Sequence, residues 1–208
     1  MTSLIPQTTT DADADPAFVR RYRSWPAWRD IHQPYELQWW REQLAAGHSR
    51  DDEEFRDKWK EVEAFIHPAG AILDIGCGPR PPFVPCTVIE PLAYEYQKLT
   101  PSEWWKHVAI YAQPAEKLIG VLTGKFDTLI CWNALDHAIG WGLILDNMLR
   151  YGSQGARYAI ATDFWPPFDG HPGYPREEFE AEIDKRFTVV TRREPFGRQL
   201  ALLLAARR

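Results

Sequence analysis

Residues 71–92, AILDIGCGPRPPFVPCTVIEPL, constrain this chain more than any other stretch. An apolar run of strand length, Ala71 to Leu73 with Ile75 beyond Asp74, stops at Gly76-Cys77-Gly78, and a second run, Cys86 to Ile89, stops at Glu90. Each strand therefore delivers a carboxylate near its C-terminal end. In an open parallel sheet ligands bind along that edge, and glycines there let the backbone approach a ligand with no Cβ in the way. An acid closing the second strand is placed to accept two hydrogen bonds from a ribose diol.

A dinucleotide site is the first reading to weigh. The fingerprint G-x-G-x-x-G fails, because the position three after Gly78 is Pro81. Prolines at 79, 81, 82 and 85 also keep a regular helix from starting at the glycine turn. A pyrophosphate needs that helix N-terminus, with its free N–H groups and dipole. S-adenosylmethionine has no phosphate and carries a sulfonium cation, so a glycine turn flanked by two acids suits it better than NAD.

At these residues the chain resembles the class I S-adenosylmethionine-dependent methyltransferases. Asp74-Ile75-Gly76-Cys77-Gly78 matches their first motif and Glu90 their second; Phe126 to Cys131, followed by Asn133-Ala134-Leu135-Asp136-His137, looks like their fourth-strand segment. The resemblance runs from about Ile66 to the C-terminus. It departs from the family at Arg80, where a third glycine is usual, and in the short, proline-rich link between the first two strands. It implies a three-layer Rossmann-like α/β fold with a mostly parallel seven-stranded sheet and an antiparallel C-terminal hairpin. It also implies S-adenosylmethionine as cofactor, with Asp74 meeting the ammonium of its methionine end, the turn Gly76, Cys77 and Gly78 beneath it, and Glu90, with Pro91 and Leu92, at the ribose. At the adenine, Gln113, the Ala115 amide and Glu116 all stay candidates, because Pro114 stands at the usual acid position; an ordinary loop is the competing reading. Asn133 closes the cofactor-binding set.

The chain has 208 residues, enough for one substantial core, and three regions are expected: a disordered tail over 1–16, a helical extension or lid over 17–67 and the cofactor-binding domain over 68–208. A net charge of −5 argues against a broad nucleic-acid or anionic-membrane footprint, which leaves a small molecule as the expected methyl acceptor. The opening residues lack a basic region and an apolar run, and no later run reaches membrane-spanning length, so a soluble, cytoplasmic protein is expected. Cys77, Cys86 and Cys131 fall in or beside strands without metal-ligand spacing and read as reduced core thiols. No metal is expected.

Seven of the ten tryptophans lie outside the cofactor strands and their loops. Leu37, Trp40 and Leu44 fall at helical spacing after Pro34, with Gly47 as the stop; Phe55, Trp59, Val62 and Ile66 mark a second helix over 51–66. Two readings of this extension stay open, a substrate-covering lid and helices packed on the sheet. On the first, Tyr22, Trp25, Tyr35 and Trp39, with Trp165 in the proline-rich loop 164–175, line the substrate. Further on, strands are predicted over 107–112, 126–131, 156–162, 187–191 and 200–205, and helices over 115–122, 143–150 and 176–186.

Methyl transfer is an in-line displacement on an activated carbon. The protein aligns, excludes water and, where the nucleophile carries a proton, supplies a base. His137, just past the fourth strand, is the leading base, with Asp163 and His171 as comparable candidates and packing or capping as the competing role. Asp136 stands beside it, but adjacent residues of an α-helix do not face each other, so Asp136 need not orient His137. Two other functions remain: a non-catalytic protein that binds the cofactor, and a nicotinamide oxidoreductase, disfavoured by Pro81.

Overall fold

The computed structural model describes residues 24–47, 60, 63–81, 83–164, 171–173, 175–194 and 199–206. The expected tail over 1–16, most of the second predicted helix, Tyr22 and Trp165 lie outside the described residues.

Seven strands form one sheet: β1 (Ile72–Ile75), β2 (Cys86–Ile89), β3 (Val108–Tyr111), β4 (Phe126–Trp132), β5 (Gly152–Asp163), β6 (Phe187–Arg193) and β7 (Gln199–Ala206). Their order across the sheet is β3-β2-β1-β4-β5-β7-β6. The first five pair in parallel, and β7 runs antiparallel to both β5 and β6. This is the expected mostly parallel sheet with its antiparallel C-terminal hairpin.

The central strands read as continuous apolar runs because both faces are covered. Leu129 and Cys131 of β4 and Ile160 of β5 join a core with α4 (Trp141–Tyr151) and α5 (Arg176–Arg186), through Leu145, Met148, Phe179 and Ile183. Their neighbours Ile130 and Ala159 turn the other way, to Phe65 and Ile66. On that same side Val88 of β2 packs with Ala93 and Tyr96 of α3 (Ala93–Leu99), and with Leu37 and Trp40 of the N-terminal extension. The alternation of side chains along each strand thus produces three layers.

The extension departs from the sequence expectation. Helix begins before Pro34, at α1 (Trp25–Ala27), widens through a π-helical stretch over Trp28–His32 and continues as α2 (Gln33–Ala45). Ser24 caps it: its hydroxyl accepts the Ala27 N–H at 3.2 Å, with a proline in the first turn. Pro34 lacks the N–H that would continue the ladder, and the wide turn directly before it absorbs that gap. Gly47, at φ +82°, ends α2 as expected.

Two other elements differ. Residues 115–122 hold turns and a short 3₁₀ helix (Gly120–Leu122) where an α-helix was predicted. The backbone there is held instead by side chains from α4: Asn147 donates to the Ala115 carbonyl at 2.8 Å, and the Tyr151 hydroxyl accepts the Ile119 N–H at 2.9 Å. β5 starts at Gly152 rather than 156, directly after α4. Between Gly76 and Pro85 the described residues form no helix, as the prolines require. Among the described residues no helix is long and apolar enough to cross a membrane.

Candidate functional site

β1 lies between β2 and β4, with Asp74 paired in register to Val88 and Ile130. Its carboxylate is buried, 2 % exposed. The chain then turns sharply, with Gly76 at φ +72° and Gly78 at φ +64°, a region L side chains rarely adopt. Gly76 donates to the Ile89 carbonyl at 2.9 Å, and a Cβ added there would stand 2.3 Å from the Ala134 Cβ. The turn after β1 therefore rests directly against the turn after β4.

Glu90 stands at the end of β2, 5 % exposed. One of its oxygens accepts the Gly78 N–H at 3.2 Å and the other the Leu92 N–H at 2.9 Å. A carboxylate has about four acceptor positions; each oxygen thus keeps capacity for another donor. Burial pushes this carboxyl up to about 7, against the opposing pull of the Leu92 and Gly78 amides, with the Glu36 and Asp74 carboxylates adding to the rise. The two acids are thus electrostatic neighbours, both buried, at one rim of the sheet.

Around them, Cys77 is buried, and Pro91 and Leu92 form the turn into α3, half-buried. Asn133 follows β4 in the left-handed region, φ +55°, and its N–H donates to the Ala161 carbonyl at 2.7 Å. Of the adenine candidates, Ala115 is buried, and the Gln113 amide reaches the Lys117 carbonyl at 3.4 Å. Glu116 has a defined structural role: one oxygen accepts the N–H groups of Ile139 at 3.0 Å and Gly140 at 3.3 Å, at the entrance to α4.

A second group of polar side chains gathers past β4. Residues Leu135–His137 form a 3₁₀ turn, not an α-helix, and Asp136 is turned inward to 4 % exposure. Its Oδ2 is 3.1 Å from Nδ1 of His171 and 3.8 Å from Nε2 of His137, and the two imidazoles lie 4.2 Å apart. The 3.1 Å contact is not a directed hydrogen bond, since neither Asp136 oxygen has a partner in hydrogen-bond geometry. Burial raises the Asp136 carboxyl, but His137 and His171 outweigh it and the net shift is downward. For His171 burial and the His137 ring win over Asp136, and the imidazole is held below its ordinary range.

Glu36 completes the group from α2: its Oε2 is 3.8 Å from Nδ1 of His137, and its Oε1 accepts the Trp40 indole N–H at 2.7 Å. Sequence reasoning named His137 and His171 but missed Glu36 and set Asp136 aside. Asp163 ends β5 opposite Gln199 and is not in this cluster. Of the aromatic candidates, Trp25, Tyr35 and Trp39 are 44 %, 41 % and 40 % exposed. Buried Cys131 in β4 feels Asp74, Asp136, Glu116 and Glu90 together, after burial itself, so the two groups of acids converge on the same end of β4.

No protein-family model matches the chain, and no curated protein matches it in sequence. Solved structures do match its shape. A TehB-like S-adenosylmethionine-dependent methyltransferase from Corynebacterium glutamicum aligns at TM-score 0.59 and 15 % identity, over 93 % of this chain and 100 % of the other. The 1,6-didemethyltoxoflavin-N1-methyltransferase of Burkholderia thailandensis, solved with S-adenosylhomocysteine, aligns at TM-score 0.55 and 18 % identity, over 82 % and 85 %. The glycopeptide N-methyltransferase MtfA bound to S-adenosylmethionine aligns at TM-score 0.55 and 8 % identity, over 71 % and 92 %. The chain has the class I methyltransferase fold. Within that fold Asp74 and Glu90 stand on adjacent parallel strands, and Asp136, His137 and His171 sit on the loops that follow β4 and β5.

Proposed function

We propose that this protein transfers the methyl group of S-adenosylmethionine to an oxygen or nitrogen of a small molecule. The observation that carries the reading is the pair of buried carboxylates, Asp74 and Glu90, at the glycine turn of a class I methyltransferase fold. The donor set fits the cofactor: Asp74 offers an acceptor for its ammonium, and Glu90 keeps capacity for the ribose hydroxyls while holding the Gly78 and Leu92 amides. When bound, S-adenosylmethionine supplies a methyl on positive sulfur, which needs no further activation.

The chain's own residues then position and desolvate. Gly76 and Gly78 let the backbone approach; Pro91, Leu92 and the 113–116 turn flank the nucleoside. The cluster of Asp136, His137 and His171 forms the polar end of the acceptor site, and the extension carrying Tyr35 and Trp39 covers it, with Glu36 as its contact to His137. Two structural neighbours are named N-methyltransferases, one for 1,6-didemethyltoxoflavin and one for a glycopeptide, which supports a small acceptor here. The net charge of −5 supports the same reading, with neither nucleic acid nor an anionic membrane as partner.

Incubation with methyl-labelled S-adenosylmethionine and a panel of phenols, alcohols and amines tests the proposal. Label is expected in the small-molecule fraction of at least one reaction. Label only in protein or nucleic acid, or cofactor bound with no transfer to any acceptor, contradicts it.

Glu90 gives this reading a pH signature. Its pKa is raised from 4.5 to about 7 in the folded chain, so the native state binds more protons than the unfolded one between those values. Stability therefore falls as pH rises through that window, by roughly 3 kcal/mol at most. Ribose hydroxyls donating to Glu90 favour its ionised form, so affinity for S-adenosylhomocysteine is expected to rise about tenfold or more from pH 5.5 to 7.5. Calorimetry across that range checks this, and Glu90→Gln removes both dependences.

A further inference from the structure

We propose that Asp136, His137 and His171 form a binding site for one divalent first-row transition metal of the zinc class, with Glu36 holding His137 in its ligating orientation. One ligand atom from each of the three residues lies within 4.8 Å of the others. Ligands at about 2.0–2.2 Å from a four-coordinate ion stand roughly 3.4 Å apart. The observed separations from Asp136 Oδ2, 3.1 Å to His171 and 3.8 Å to His137, bracket that spacing.

A second observation points to a ligand at this position. Asp136 is 4 % exposed, and neither carboxylate oxygen has a hydrogen-bond partner. A buried carboxylate without hydrogen bonds is costly unless a cation satisfies it, and among the described residues no lysine or arginine pairs with Asp136. The nearest groups are imidazoles, which become good ligands when neutral, and the donor set of two nitrogens and one oxygen suits zinc-class ions over magnesium or calcium.

Glu36 stands on the side of His137 where such sites place an outer partner. A ligating histidine usually gives its other ring N–H to a carboxylate, which fixes tautomer and orientation. Nδ1 of His137 faces Glu36 at 3.8 Å while Nε2 faces Asp136, and Glu36 is itself anchored by the Trp40 indole. Three protein ligands leave one position for water or a heteroatom of the acceptor. The role of such an ion in methyl transfer rests on the function proposed above; its binding does not.

Metal-free protein prepared with a chelator is titrated with Co²⁺, followed by visible absorption, and with Zn²⁺ by calorimetry. One ion per chain is expected, with Zn²⁺ displacing Co²⁺ and excess Mg²⁺ failing to. His137→Gln and His171→Gln should each weaken Co²⁺ binding by about a hundredfold or more, and Glu36→Gln by about tenfold. His107→Asn, at an exposed histidine away from the cluster, should leave it unchanged. The His137 side chain is 21 % exposed, so its variant retains the core and keeps the test valid if His171→Gln misfolds. Absence of stoichiometric binding, or binding unaltered by both histidine variants, overturns the site. S-adenosylhomocysteine affinity is read on the same metal-free chain: Co²⁺ failing where it binds overturns the metal site alone, and Co²⁺ binding where it fails supports the metal site and removes the cofactor reading.

Discussion

Asp74→Ala is expected to keep the fold and to bind S-adenosylhomocysteine about a hundredfold more weakly. The two halves of that result have separate causes. The side chain is almost fully buried on the central strand, and its removal leaves intact the main-chain pairing that joins β1 to β2 and β4. The ligand instead loses a charge-assisted contact to its ammonium, which Glu90 does not replace: the Gly78 and Leu92 amides fix that carboxylate at the ribose position. Thermal unfolding and equilibrium titration of one preparation separate the two. A fall in stability with affinity unchanged would make Asp74 a turn-former and nothing more.

Gly76→Ala is expected to lose both. A methyl group there meets the Ala134 Cβ at 2.3 Å and must be carried at φ +72°, so the turn after β1 has to move away from the turn after β4. The left-handed backbone alone costs roughly 1–2 kcal/mol and the clash adds to it. A drop of about 3 kcal/mol corresponds to roughly 6–12 °C in melting temperature for a chain of this size. Cofactor affinity falls with it, because the same displacement carries Gly78 off Glu90. Gly120→Ala is the matched control: nothing lies within 4 Å of its added Cβ, and it should melt with the native protein.

Which parts of this account were legible in the sequence follows from the range of the forces involved. Period-two and continuous apolar runs marked all seven strands, and the glycine turn with its two acids marked the rim, because those signals are local. The start of the extension was also written locally, in Ser24 followed by a proline at the first turn. The helix expected over 115–122 fails for a reason no window of residues contains: Asn147 and Tyr151, about thirty positions on, take up its backbone groups.

The Asp136 group is harder still. Glu36, Asp136 and His171 come from three separate segments, and only the crossovers that lay β5 beside β4 and the extension beside β2 bring them together. The expectation that neighbouring residues diverge assumed an α-helix; in the tighter 3₁₀ turn Asp136 points inward and comes within 3.8 Å of His137.

The central claim is that Asp74 and Glu90 hold a phosphate-free, cationic nucleoside cofactor. Calorimetric titration of the native chain with S-adenosylhomocysteine and, separately, with NAD tests it most directly. The account predicts saturable binding of one S-adenosylhomocysteine per chain and no heat from NAD; binding of NAD with none of S-adenosylhomocysteine would contradict it.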